Sequence, residues 1–384
     1  MTPPPKSDGL VEARLANTFI GTPPLRALST AVHGPRHPSF DVRPIVFHIR
    51  DSDTDPTLAD KVRALCTPEP YPSNPTDITS IETHMAWVFL TDRRAYKLKK
   101  PIGSPHFDYR SCEARREGCQ RELRLNRRLA HDIYLAVVAL RDHDGALRID
   151  TGGQRGTVTD WLVEMKRLPA PKMLHRRIER DDIAPEHIDA LASRLRKFYR
   201  GATSADLDGS DHRRRHRRDI GAKTDSLKTP AYDLDGALID EASSLMETWL
   251  DDHGPLIEHR ARCVVDAHGD LRPEHICIGT TPVVIDSLEF DRRLRLLDPI
   301  SELSFLDLEC RRLGNAWVGP RLLSTCIDDI HRRWTRQLRS FYGAYHALVR
   351  AAIALWHLDG DVDNPEKWRR KATWYLREIS TLLA

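Results

Sequence analysis

Two aspartates in a short stretch carry the strongest chemical signal in this sequence. Asp270 lies within Val264-Val265-Asp266-Ala267-His268-Gly269-Asp270-Leu271-Arg272-Pro273-Glu274-His275-Ile276, and Asp286 closes the apolar run Val283-Val284-Ile285. The pattern reads as a short strand, a loop, a second short strand, a turn and a third strand. Two loop carboxylates separated by a strand hairpin can point into one cleft. Phosphoryl transfer from a nucleotide needs such a set: a carboxylate near the attacking hydroxyl, cations on the phosphates, and ligands for magnesium. Arg272 follows Asp270 by two residues, and its fork could reach a transferring phosphate.

The cations have a candidate source upstream. Ala95-Tyr96-Lys97-Leu98-Lys99 alternates, so Lys97 and Lys99 share one face of a strand and Tyr96 and Leu98 take the other. Ser111 to Ala130 reads as a helix. Glu122 lies there at helical spacing from Cys119, Asn126 and Leu129, where a carboxylate needs a nearby cation. Lys97 is the first choice of phosphate lysine and Lys99 its rival, with Glu122 as the ion-pair partner.

The elements needed to hold these groups follow in two blocks. Residues 1–56 form an extension, mostly loop or disordered, with one strand candidate at Pro44 to Ile49. Residues 57–168 are predicted as an N-lobe. It starts with a short helix near Thr57 to Leu65 and continues with strands over Ile78 to Leu90, Ala95 to Lys99, Tyr134 to Leu140, Leu147 to Ile149 and Trp161 to Met165. Residues 169–384 are predicted as a mainly helical C-lobe. Helices are expected over Glu186 to Tyr199, Leu238 to Leu250 and from Ile300 onward, where Tyr342, Tyr345, Leu348, Ile353 and Trp356 form a core stripe. The catalytic loop 268–276 and metal segment 283–290 fall in this block. A sheet-rich part followed by a helix-rich part is an α+β, two-lobed arrangement with a cleft between the lobes.

Composition excludes other classes. With 384 residues, 40% hydrophobic and 30% charged, the chain is long enough for a sizeable core. A net charge of +3 gives no global pull toward nucleic acid or membrane. The seven cysteines are scattered and never form a CxxC pair, which predicts reduced thiols in a cytoplasmic protein. No signal peptide or membrane-spanning run is expected.

The motif HGDLRPEHI followed by VVIDSLEF resembles the catalytic loop and metal segment of the aminoglycoside phosphotransferase-like proteins, small-molecule relatives of the protein kinases. The segments Ile81 to Leu90, Ala95 to Pro101 and Glu122 to Leu129 resemble one bacterial branch of that family, often fused to a P-loop ATPase domain. The sequence contains no GxxxxGK[ST], so a stand-alone copy is expected. The resemblance covers roughly residues 57 to 357. It implies a protein-kinase-like bilobal fold, with an antiparallel-sheet N-lobe bearing one helix and a helical C-lobe. It further implies an ATP-dependent phosphotransferase with Mg2+, or Mn2+, acting on a small-molecule hydroxyl.

By the same resemblance Asp270 falls on the catalytic base, Arg272 on the phosphate-contacting lysine, His275 on the metal-binding asparagine and Asp286 on the metal aspartate. Asp298 falls on a C-lobe aspartate, His268 on a ring that braces the loop, and Glu164-Met165-Lys166-Arg167 on the hinge whose backbone binds adenine. Glu289 and Asp291 follow the metal aspartate and could approach the acceptor. Histidine at 275 departs from the family, because magnesium prefers oxygen ligands. That departure supports the alternative of a pseudokinase, a nucleotide-binding or regulatory module with little transfer. A second departure is that residues Glu82 to Ala86 would cover the phosphates with no glycine. The run His212-Arg213-Arg214-Arg215-His216-Arg217-Arg218 is expected to be a solvated, mobile insertion; RNA binding through it is a weaker reading.

Overall fold

The computed structural model describes residues 56–384, apart from residues 105, 151, 153–155, 328–331, 361 and 363 and the side chains of 332 and 333. The strand candidate at Pro44 to Ile49 lies outside the described residues. The described chain divides after Arg167 into two units.

The first unit opens with α1 (Leu58–Leu65). A capping box starts it: Asp60 N–H donates to Thr57 Oγ1 at 3.2 Å, and Thr57 N–H donates to Asp60 Oδ2 at 3.1 Å. Strands β1 (Thr79–Glu82), β2 (Ala86–Leu90) and β3 (Arg94–Lys99) follow. After the small pair β4 (Gly103–Ser104) and β5 (Phe107–Asp108) come α2 (Cys112–Ala130), β6 (Tyr134–His143), β7 (Ala146–Asp150) and β8 (Thr157–Lys166). Six of these strands form one antiparallel sheet in the order β1-β2-β3-β8-β6-β7. Alternation along β3 decides what each face carries. Tyr96 and Leu98 join Leu65, Phe89, Leu140 and Leu162 in the core, while Lys97 and Lys99 face α2. The stretch read as one strand, Ile78 to Leu90, is two. Thr83 breaks it, its hydroxyl accepting from Ala86 N–H at 2.9 Å and donating to Ala86 O at 2.8 Å. A threonine thus closes the turn where no glycine is present.

The second unit is mainly helical: α3 (Leu174–Glu179), α4 (Pro185–Gly201), α5 (Gly209–Leu227), α6 (Gly236–Arg260), α7 (Pro299–Arg312), α8 (Val318–Cys326), α9 (Arg332–Trp356) and α10 (Pro365–Leu383). Four two-residue strands lie between α6 and α7: β9 (Val265–Asp266), β10 (Ile276–Cys277), β11 (Val283–Val284) and β12 (Leu296–Leu297). β10 pairs with β11, and β9 with β12. Helix α7 is buried on every side from Pro299 to Cys310, so it is the central element of this unit.

Two expectations are corrected here. The polar stretch expected to be a mobile insertion is the helix α5, packed on α6. Its buried residues His212, His216, Ile220, Thr224 and Leu227 repeat at helical spacing, a stripe that the arginines between them mask. Helix α6 runs ten residues past Leu250, through Pro255 to Arg260. Gly254 lets it pass close to α5, because a Cβ there would lie 2.1 Å from the Arg213 guanidinium carbon. No helix among the described residues is long and apolar enough to cross a membrane.

Candidate active site

In the first unit, Glu122 sits fully buried on α2 and takes two lysines from β3. Lys97 Nζ lies 2.9 Å from Oε1, and Lys99 Nζ lies 2.6 Å from Oε2. The two lysines differ in access: the Lys97 side chain is 14% exposed and Lys99 only 2%. Lys99 also lies 5.1 Å from the centre of the Tyr109 ring. Met165 stands in β8 opposite Ala95 and Tyr134. Of the segment expected to offer backbone groups to adenine, Lys166 N–H already donates to Ile133 O at 2.9 Å and Arg167 N–H to Arg93 O at 3.0 Å. Those two donors are spent within the unit.

In the second unit, the loop between β9 and β10 is held from several sides. Gly269 has φ of +90°, and a Cβ there would stand 2.9 Å from Arg295 Cγ. The His268 ring braces the loop: Nε2–H donates to Ile285 O at 3.0 Å and Nδ1 accepts from Asp270 N–H at 3.3 Å. Ser287 donates its hydroxyl to His268 O at 2.8 Å. From α7, the Glu302 carboxylate accepts from His268 N–H at 3.0 Å and Gly269 N–H at 2.6 Å. Its other oxygen accepts from the Tyr199 hydroxyl at 2.8 Å. Arg295 joins Asp266 to the loop, with Nε 2.8 Å from Oδ1 and Nη1 donating to Leu288 O at 2.6 Å.

This scaffold presents Asp270, which is 3% exposed. Burial pushes its carboxyl well above the usual carboxylate range, with the Arg272 and Arg350 guanidiniums opposing. Arg272 Nε lies 2.9 Å from Asp270 Oδ1. His275 Nδ1–H donates to the Asp270 carbonyl at 2.9 Å, and Nε2 accepts from Arg272 Nη2 at 3.0 Å. Burial, reinforced by Arg272, holds the His275 pKa down at about 4, so the ring is neutral. The Asp286 side chain is 41% exposed, and its Oδ2 stands 3.5 Å from His275 Nε2. Asp286 adopts φ of +64°, a left-handed backbone rare outside glycine and favoured at functional sites.

Arg272 is therefore not directed outward as the motif suggests. Its guanidinium is buried and engaged with Asp270 and His275. Asp291, a candidate for the acceptor side, instead caps a turn and accepts from the backbone N–H and guanidinium of Arg293. Glu289 is buried as well. Asp298 caps α7 and takes a two-pronged contact from Arg260 at 2.7 Å.

No family model matches the sequence. Uncharacterized proteins of Mycobacterium bovis and Mycobacterium tuberculosis are 30% identical over 282 residues, which is 71% of this chain and 53% of theirs. The chain spans about half the length of the curated relatives it matches. Among solved structures, the aminoglycoside phosphotransferase APH(2'')-IIia in complex with GDP and kanamycin superposes with a TM-score of 0.50. The identity is 13%, over 80% of this chain and 94% of that one. The chain has the aminoglycoside phosphotransferase fold. A choline/ethanolamine kinase family protein from Mesorhizobium loti gives a TM-score of 0.48 at 13% identity, covering 85% of this chain and 95% of that one.

Within this phosphotransferase fold, the basic run is tied down by neighbouring acids. Arg213 pairs with Glu258, Arg217 with Asp251 and Glu247, and Arg215 with Asp219. Three supporting residues escaped the sequence reading: Glu302, Arg295 and Asp160. Asp160 of β8 is buried and accepts from Lys61 of α1 at 2.9 Å and from Arg115 of α2 at 2.8 Å, tying both helices to the sheet. Among the described residues, no group of three or more His, Cys, Asp and Glu side chains could hold a metal. Asp286 alone, completed by phosphate oxygens, fits magnesium, which is often bound through one or two carboxylates plus substrate phosphates.

Proposed function

We propose that the chain is an ATP-dependent phosphotransferase that moves the γ-phosphate to a hydroxyl of a small-molecule acceptor. The observation that carries this reading is the buried Asp270 on a loop braced by His268 and Glu302, followed one strand hairpin later by the left-handed, part-exposed Asp286. The fold of an aminoglycoside phosphotransferase supports it.

In this proposal Asp270 orients the acceptor hydroxyl and accepts its proton as the new O–P bond forms and the bond to the β-phosphate oxygen breaks. A raised pKa makes Asp270 a better base than a solvated aspartate. Lys97 is the phosphate lysine, since it is more accessible than Lys99 and is oriented by the same Glu122. Lys99 then serves to balance Glu122 and fix its rotamer. Asp286 is the ligand offered to magnesium, which supplies neutralisation of β- and γ-phosphate charge when bound. Arg272 acts through Asp270 and His275 rather than by touching phosphate. Most of the acceleration would come from positioning and electrostatics.

The test is ATP turnover with magnesium or manganese, coupled to a mass-shift screen for one added phosphate across hydroxyl-bearing acceptors. Asp270→Ala is expected to lose at least about 100-fold in rate. Full activity in that variant overturns the assignment. A second reading, a nucleotide-binding module without transfer, is favoured by one feature: both ring nitrogens of His275 are already engaged. Nucleotide-dependent thermal stabilisation with no transfer over the whole screen would select it.

A further inference from the structure

We propose that this chain handles its nucleotide with one divalent cation, because the Arg272 guanidinium fills the place and takes the ligands of a second. The inference rests on the phosphotransferase reading and adds the metal stoichiometry.

The hydrogen bonds leave no ligand at position 275. The Asp270 carbonyl can only accept, so His275 Nδ1 carries the proton. The lone pair on Nε2 then accepts from Arg272 Nη2 at 3.0 Å. A neutral imidazole has one lone pair in the ring plane, and here it is used. The same guanidinium lies 2.9 Å from Asp270 Oδ1 through Nε. Asp286 Oδ2, 3.5 Å from His275 Nε2, borders the same spot. A second divalent cation between Asp286 and position 275 would stand against a group that is always charged in proteins. Like charges brought together beside the buried Asp270 and His275 repel. Glu274 and Glu309 lie close enough to favour the charged guanidinium where it is. Arg272 thus already supplies, from the protein, positive charge beside both aspartates. It is a positioning residue that also stands in for an ion.

The count of bound ions tests this directly. The full-length chain is titrated with Mn2+ under a saturating unhydrolysable ATP analogue, and bound Mn2+ is read by electron paramagnetic resonance. One Mn2+ per chain is expected. His275→Asn is expected to stay at one, because the guanidinium remains. Arg272→Lys keeps a cation and is also expected to stay at one, whereas Arg272→Gln is expected to take up a second. A merely structural arginine would not move this count with charge. Two ions in the wild type or in His275→Asn, or a single ion in folded Arg272→Gln, overturn the inference and leave the phosphotransferase reading standing. No nucleotide-dependent Mn2+ uptake and no thermal shift with nucleotide remove that reading, and the inference falls with it.

Discussion

Glu302 is the carboxylate on which the loop bearing Asp270 hangs, and Glu302→Gln is the perturbation that isolates its charge. The substitution keeps the shape of the side chain on a helix with no room to spare. The wild-type carboxylate accepts two backbone N–H groups, His268 at 3.0 Å and Gly269 at 2.6 Å, and the Tyr199 hydroxyl at 2.8 Å. Burial keeps Tyr199 protonated and therefore a donor. A hydrogen bond to a charged group contributes about 1.5–3 kcal/mol and a neutral one about 0.5–1.5 kcal/mol. Two backbone donors change class in the variant, so the loop loses about 2–3 kcal/mol of support. At about 1.4 kcal/mol per factor of ten, local opening rises about 30- to 150-fold. Hydrogen exchange followed by mass spectrometry on peptides covering 266–272 reads this opening without requiring global unfolding. Tyr199→Phe leaves both backbone N–H bonds to the charged Glu302 in place and should raise exchange less than Glu302→Gln does. In an acceptor assay the Gln variant should lose kcat with the nucleotide KM nearly unchanged. Exchange within about threefold of wild type would refute the claim that the Glu302 charge holds the loop.

Three further outcomes follow from the same structure. Gly269→Ala should all but abolish turnover and destabilise by at least about 1–2 kcal/mol, since φ is +90° and the new Cβ meets Arg295; steady-state rates and a thermal melt check it. Asp160→Ala should cost about 3–5 kcal/mol by removing the carboxylate that the buried Lys61 and Arg115 share, and a thermal melt equal to wild type would count against that ion cluster. Acid should destabilise the second unit. Burial lowers His212 to about 4 and His346 to about 4, and pushes His216 well below its ordinary value of 6.5. The unfolded chain therefore binds more protons than the folded one as pH falls from about 6.5 toward 4. Stability drops through that window, and His216→Phe should flatten the pH dependence of the melting temperature.

The sequence exposed those parts of the site whose logic is local. Lys97, Lys99 and the apolar Tyr96 and Leu98 that alternate with them follow from strand alternation, and Glu122 follows from helical spacing, so their contact could be anticipated from sequence. The loop around Asp270 is contiguous and its residue types are distinctive. What stayed hidden depends on partners distant along the chain. Glu302 binds backbone N–H groups about thirty residues earlier, and a backbone donor leaves no mark on residue type. Arg295 and Asp266 look like ordinary surface charges until β9 and β12 pair and bring them together. Helix α5 was obscured differently. Its inward stripe begins with His212 and His216, polar residues that hydropathy does not count as core, set among arginines that pair with the acids of α6.

Arg272 marks the limit of motif reading. Spacing alone suggests a side chain reaching outward to phosphate, yet two neighbours turn it inward. Asp270 draws Nε, and the neutral His275 ring supplies an acceptor that an asparagine amide could supply only by presenting its oxygen. Arginine at 272 and histidine at 275 thus form one buried unit in which each residue explains the other. Their direct contact makes Arg272 and His275 a coupled pair rather than two independent positions. A double-mutant cycle between Arg272→Lys and His275→Asn, read in nucleotide-analogue affinity, should give a coupling of at least about 1 kcal/mol. Additive effects would show that the two positions act independently.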